Sequence, residues 1–290
     1  MKIWDRKNNK YVEQEESAQK SLELLYNTFY GRFLLKTIFV SRWFSKCQAV
    51  YQRSIFSKGT IKKFVEKHNI DMSRYDNVES YKSFEEFFRR KRDVKKYINT
   101  KDLDENNLLA IADSKLQVFL LDENSKLKIK NSIYDLKDLT QSDEISDKYK
   151  NGICLIYRLS ANDYHRYHFL DNGKIINSKY IKGKLHTVRP ISEKYNVYSQ
   201  NSRYVSILKT ENFGEVIQIE VGAMLIGKIV KHECSSFNKL DEKGFFDFGG
   251  STIVQIFEND KIIIDKDILE KSSEGIETIV EIGEKIGVQR

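Results

Sequence analysis

At 290 residues the chain can build one large core or two modest ones, and its 40% apolar and 31% charged residues exclude long disordered tracts. Its net charge of +7 is unevenly placed: residues 1–100 hold 22 Lys/Arg against 12 Asp/Glu, whereas residues 101–290 hold 27 against 30. That basic front suits a polyanion or an anionic bilayer, and a well-solvated basic surface explains it equally.

The first residues, Met1 to Arg6, mix charges and lack the apolar stretch of a secretory signal. Residues 18–50 read as helical. Within them Phe29, Tyr30, Phe33, Leu34, Leu35, Ile38, Phe39, Val40, Trp43 and Phe44 alternate with Arg32, Lys36, Arg42 and Lys46. Rings that bury while amines snorkel outward suit the headgroup boundary of a bilayer; a helix packed on its own domain gives the same pattern. Further helices are predicted over 58–68 and 83–91, the latter with Phe84, Phe87 and Phe88 on one side. No apolar run approaches the ~20 residues of a spanning helix, so the chain is not expected to cross a membrane.

Beyond about residue 108 the runs 116–121, 152–159, 205–208, 216–221, 226–230 and 252–257 are rich in β-branched and aromatic residues, and polar residues or glycine bound them. Pro190, the one proline, falls in a turn among them. The expected fold is therefore α+β: a basic, helical region over 1–100, then a strand-rich, mainly antiparallel domain over 101–290. Cys47, Cys154 and Cys234 are odd in number and lack metal-type spacing, which points to reduced thiols in a cytosolic compartment.

Three places carry chemistry. In Phe246-Asp247-Phe248-Gly249-Gly250-Ser251-Thr252, paired glycines open backbone conformations closed to other residues and set a hydroxyl beside the preceding carbonyl. If the Gly250–Ser251 peptide is strained, Ser251 Oγ can attack the Gly250 carbonyl in an N-to-O acyl shift; an ordinary Gly-Gly turn reads the same. In Arg158-Leu159-Ser160-Ala161-Asn162-Asp163-Tyr164-His165-Arg166-Tyr167-His168, two of the five histidines fall within four residues. Such a pair can move protons near neutral pH or serve structurally, and no cysteine or carboxylate cluster completes a metal site. His68, His186 and His232 read as structural or surface residues. Asp113, at the mouth of a strand, matters only beside a histidine whose ring it could orient.

Taken together these segments resemble the phosphatidylserine decarboxylases nearly end to end. The resemblance rests on the aromatic and basic run from Ser83 to Lys91, Ala112-Asp113 and the histidine block 158–168. It continues through Gly183-Lys184-Leu185, Val188-Arg189-Pro190, Asn201-Ser202-Arg203, Val221-Gly222-Ala223 with Gly227, and Gly249-Gly250-Ser251-Thr252. It implies a proenzyme that cuts itself between Gly250 and Ser251 into a β chain, 1–250, and an α chain, 251–290. Ser251 would become a covalent pyruvoyl group whose ketone takes the serine amine of phosphatidylserine as an imine, yielding phosphatidylethanolamine and CO2; neither pyridoxal phosphate nor a metal is required. Asp113 and His168 would handle protons with Ser251 in self-cleavage, and His165 would serve the decarboxylation. Three positions depart from the family pattern: Ser114 for Gly, Arg189 for Asn and Ser202 for Glu.

The implied partner is phosphatidylserine in an anionic membrane and not nucleic acid, with the protein peripheral on the cytoplasmic face; homo-oligomerisation stays open. Two other classes use some of the same features. A Ser/His/Asp hydrolase would keep its chain whole, but the Gly-x-Ser-x-Gly elbow is missing. A non-catalytic basic membrane- or nucleic-acid-binding module explains the charge and leaves the histidine and Gly-Gly-Ser-Thr blocks unexplained.

Overall fold

The computed structural model describes residues 2–13, 19–34, 49–129, 132–142, 145, 147–186, 197–223, 229–247 and 251–290. Its centre is a ten-stranded sheet. Across it run Ser236–Phe237, Gly173–Ile181, Arg203–Thr210, Glu215–Val221, Ser251–Phe257, Ile153–Leu159, Ser114–Leu120, Glu277–Val280, Lys2–Asp5 and Lys10–Glu13. Every neighbouring pair is antiparallel except Lys2–Asp5 with Glu277–Val280. The α+β expectation holds. Residues 2–13, for which the sequence suggests no element, form the hairpin at one edge of the sheet.

Both faces of this sheet are covered, so its middle strands are buried almost throughout; Ser251–Phe257 is buried at every position. Alternation then sorts side chains onto two cores. Leu155, Tyr157, Leu159, Ile253 and Phe257 face one side. They meet Tyr167, Phe246 and Ile229 from the sheet Ile229–Lys231, Glu242–Phe246, Arg166–His168, and Leu108, Ile264 and Ile286 from the sheet Ile262–Ile264, Lys285–Gln289, Asn107–Leu109. Cys154, Ile156, Val254 and Ile256 face the other side, under Leu127, Tyr134, Leu136, Leu139 and Val197.

The front of the chain is helical in pieces. Thr28 ends the helix Gln19–Asn27 and begins Phe29–Leu34, its Oγ1 donating to the Leu24 carbonyl (2.7 Å) and accepting from the Gly31 amide (2.9 Å). The helix Gly59–His68 stops at Asn69 in the left-handed region. Ser83 Oγ accepts from the Glu86 amide and caps a helix confined to Phe84–Phe88, shorter than the sequence suggests. Phe84, Phe87 and Phe88 do share one buried cluster, with Ile61 and Tyr81. The aromatic stretch beyond Leu34, including Phe39 and Trp43, lies outside the described residues, as do Cys47, Arg189, Pro190, Gly227, Gly249 and Gly250.

Candidate active site

Ser251 opens a central strand, directly opposite Leu159. Being odd-numbered like Ile253, it faces the core roofed by the strands that carry Tyr167 and Phe246. It is fully buried, and among the described residues its Oγ has no hydrogen-bond partner. A buried hydroxyl left so is unfavourable, and an unreacted nucleophile fits the position better than a structural serine does. The chain enters from Asp247, at the end of Glu242–Phe246, and crosses between the two sheets in only three residues.

The histidine block forms the roof. A turn from Ser160 to Asp163 closes when the Asp163 carboxylate accepts from the Ser160 amide (2.6 Å) and from Lys115 Nζ (2.7 Å). The Asp163 carbonyl lies 2.9 Å from His165 Nδ1. A carbonyl only accepts, so Nδ1 carries the proton, and in the neutral ring Nε2 holds the lone pair. Phe88 lies 4.0 Å from the His165 ring, centroid to centroid, and fixes its plane.

His168 follows in the strand Arg166–His168, its amide donating to the Ile111 carbonyl (3.0 Å). Burial, reinforced by Arg92 and Arg166 and only partly offset by Glu242 and Asp241, pushes its pKa down to about 4. The ring is neutral at physiological pH, and its Nδ1 has no hydrogen-bond partner among the described residues. Asp113 lies two residues beyond Ile111. Its Oδ1 accepts from Arg92 Nη2 (2.7 Å) and the Ile282 amide (2.9 Å), and burial raises its pKa while Arg92 opposes the rise. The structure therefore brings Asp113 and His168 to one corner through backbone and Arg92, with no hydrogen bond between the two side chains.

The segment 84–92, which sequence reading assigns to a basic front, grips this corner from outside. Arg90 Nη2 donates to the carbonyls of Asn162 and Asp163 (both 3.1 Å), with its guanidinium 4.9 Å from the ring centres of Tyr75 and Phe87. Arg166 donates to the carbonyls of Arg89 and Arg90 and to Glu242 Oε1 (2.6 Å). Arg92 Nη1 reaches the Tyr75 hydroxyl (3.1 Å). Sequence reasoning missed the parts played here by Phe88, Arg90, Arg92 and Lys115; the one signal was the run of aromatics and arginines itself.

The remaining segments brace the strand end. Asn201 Nδ2 donates to the carbonyls of His186 and Gly222, and the Gly222 amide donates to the Ser202 carbonyl (2.9 Å). Ser202 Oγ both donates to the Gly183 carbonyl and accepts from its amide. Ser114 Oγ donates to the Ala112 carbonyl (3.2 Å), so both departures from the family pattern that can be seen are locally accommodated. Of the other histidines, His68 packs on Phe64, His232 lies 2.7 Å from Glu242, and buried His186 lies 3.4 Å from the Tyr26 hydroxyl. Among the described residues no three His, Cys, Asp or Glu side chains converge as metal ligands would.

A family model for phosphatidylserine decarboxylase matches residues 84–288. The chain belongs to the phosphatidylserine decarboxylase family. It is 50% identical over 287 residues to phosphatidylserine decarboxylase proenzyme 2 of Clostridium acetobutylicum, covering 98% of this chain and 96% of that one. It is 40% identical over 293 residues to the phosphatidylserine decarboxylase proenzyme of Clostridium tetani, covering 99% and 98%, and 39% identical over 293 residues to that of Ruminiclostridium cellulolyticum, covering 99% and 97%. The match to the phosphatidylserine decarboxylase model begins at Phe84, so it takes in the segment that grips the histidine block.

Proposed function

We propose that this chain is a proenzyme that cuts itself before Ser251 and then converts phosphatidylserine to phosphatidylethanolamine and CO2. The observation that carries the reading is the buried Ser251 hydroxyl, unpartnered among the described residues, at the head of a central strand and under the histidine block. In the first step the Ser251 Oγ bonds to the Gly250 carbonyl carbon as the C–N bond breaks. Neutral His168 takes the hydroxyl proton and passes it to the freed amine, while Asp113, held by Arg92, stabilises the transient imidazolium. Loss of the residue-251 α-proton then expels Gly250 as a carboxylate, leaving chains 1–250 and 251–290. Residue 251 takes up water, releases ammonia and becomes a ketone.

That pyruvoyl ketone supplies an electron sink, taking up the substrate amine and the electron pair left as CO2 departs. The orphaned hydroxyl of the residue from which it derives fits the assignment. His165, its Nδ1 proton committed to the Asp163 carbonyl and its ring held by Phe88, presents Nε2 for proton transfer at the substrate α-carbon. Intact mass spectrometry tests the reading: two chains are expected, 1–250 and a 40-residue 251–290, the latter refusing amine-directed sequencing because it begins with a ketone. Active enzyme made of uncut 290-residue chains would hand the site to the hydrolase reading.

Residues 1–100 are proposed to carry the membrane-associating surface, on the cytoplasmic face and against anionic lipid, with 101–290 as the catalytic domain, to which residues 2–13 add two edge strands and residues 84–92 add site contacts. Support comes from its charge and from Phe29, Tyr30, Ile55 and Phe56, which are 71–83% exposed. Among the described residues no helix is long and apolar enough to cross a membrane. Vesicle binding is expected to rise with phosphatidylserine content and to weaken with salt, as the Debye length falls from ~10 Å at 0.1 M to ~3 Å at 1 M. Phe29→Ser with Phe56→Ser should weaken it further. Co-sedimentation indifferent to lipid charge, salt and both substitutions would dismiss this surface.

A further inference from the structure

Asp247 is the last described residue before the scissile segment, four positions from Ser251, and only 2% of it is exposed. Arg89 places both Nε and Nη2 at 2.6 Å from its Oδ1. The other oxygen, Oδ2, has no hydrogen-bond partner among the described residues and faces Arg53 Nη2 at 3.9 Å. Glu85 Oε1 completes the cluster, accepting from Arg53 Nε (2.7 Å) and Arg89 Nη2 (3.0 Å). Four charges from the front of the chain and the end of a strand thus meet where the chain leaves one sheet for another.

A buried carboxylate–guanidinium pair adds little net stability over a well-packed apolar pair, but it fixes geometry. Geometry is what this stretch needs. Three intervening residues can span at most about 14 Å, so pinning Asp247 limits where the Gly250 carbonyl can sit relative to the Ser251 hydroxyl. The upstream anchor is doubled, because the Phe246 amide donates to the His165 carbonyl (3.0 Å). The downstream anchor is the pairing of Ser251 with Leu159.

We propose that Arg89 is a positioning residue for self-cleavage: by gripping Asp247 it fixes the upstream end of the short segment that leads to the Gly250–Ser251 bond. The inference rests on the self-cleaving reading above and adds to it a device that acts without touching the reacting atoms. An attack of one group on its neighbour depends steeply on alignment, and misplacement by about 1 Å costs on the order of 100-fold in rate.

The test uses the full chain made by cell-free synthesis, with conversion to two pieces timed on a denaturing gel and folding followed by thermal melting. Arg89→Ala and Asp247→Asn should each slow conversion by about 100-fold. The double variant should be no slower than the slower single one, since both remove the same contact. Arg89→Lys, which keeps a charge able to reach one carboxylate oxygen, should recover conversion to within about tenfold of the parent. Asp247→Asn, close in size to the original, guards against a variant that does not fold. Parent-like conversion in folded Asp247→Asn and Arg89→Ala would overturn the proposal while leaving the self-cleaving reading intact. So would slowing that simply multiplies in the double variant, or that tracks lost melting temperature with no recovery in Arg89→Lys. A parent chain that never converts would sink the self-cleaving reading, and this proposal with it.

Discussion

Ser251→Ala should leave the chain at its full 290 residues and without decarboxylase activity, yet folded at least as stably as the parent. The first half follows from removing the nucleophile, without which no ester forms to be eliminated and no ketone can be made. The second follows from burial: the hydroxyl lost is fully buried and has no hydrogen-bond partner among the described residues. Removing it relieves a desolvation penalty of about 1–3 kcal/mol and opens little space. Melting temperature should therefore hold or rise while cleavage vanishes, which separates a chemical role from a structural one. Thr252→Val, which deletes the next unpartnered hydroxyl with little change of shape, should be stabilising for the same reason. Ser251→Cys should still cut, slowly, because a thiol can make the same shift. A Ser251→Ala chain that cuts, or one that loses cleavage only by unfolding, would reassign the nucleophile.

The second large effect is at His168, where the acid limb of maturation is expected near pH 4 and not near the ordinary ~6.5. Burial keeps the ring neutral, with Arg92 and Arg166 disfavouring the proton and Glu242 and Asp241 favouring it. Conversion should be flat from about pH 8 to about pH 5 and fall only below that. Arg92→Met removes one repelling charge, so the limb should move up in pH; the same change loosens Asp113 and should slow conversion at every pH. His168→Ala should slow it by ~10²–10⁴-fold, the usual worth of a positioned base. Conversion time courses across pH measure all three, and a parent limb near 6.5 would point to a solvated base elsewhere. Stability carries the matching sign. The unfolded histidine protonates below ~6.5 while the folded one resists to about 4, so the unfolded state binds more protons in that window and stability falls as pH falls through it. His186, also pushed down to about 4, adds to the same loss.

The strands were legible because their residues leave little choice. Val216 to Val221 and Thr252 to Phe257 read as strands from β-branching alone, and the structure extends each by one residue at its start. The hairpin of Lys2–Asp5 and Lys10–Glu13 was not legible: each strand is four residues long, and its sheet partner, Glu277–Val280, lies at the other end of the chain. At the candidate site, Ser251, His165, His168 and Asp113 were assigned roles only through resemblance, since a serine after two glycines and an aspartate at a turn are ordinary taken alone. The arginines defeated sequence reading for a physical reason. Arg90 and Arg92 look like surface charge, and only folding puts one between Tyr75 and Phe87 and the other on Asp113. The buried chain from Gln255 through Gln218 and Glu220 to Lys243 is equally invisible, because it draws its members from three separate strands.

The place of Ser251–Phe257 in the main sheet dictates an order of events. With the cut before Ser251 proposed above, strands from the larger piece would hydrogen-bond to it on both sides, and the smaller piece would also thread Glu277–Val280 between Ser114–Leu120 and Lys2–Asp5, and Lys285–Gln289 between its own Ile262–Ile264 and Asn107–Leu109. A chain severed before folding would have to weave two separate polypeptides into one sheet. One severed afterwards cannot come apart without dismantling that sheet. On the proposed reading folding precedes the cut and the mature molecule is kinetically trapped: two differently tagged preparations mixed after maturation should not exchange their small pieces, and pieces separated in denaturant should not regain the native pairing on dilution.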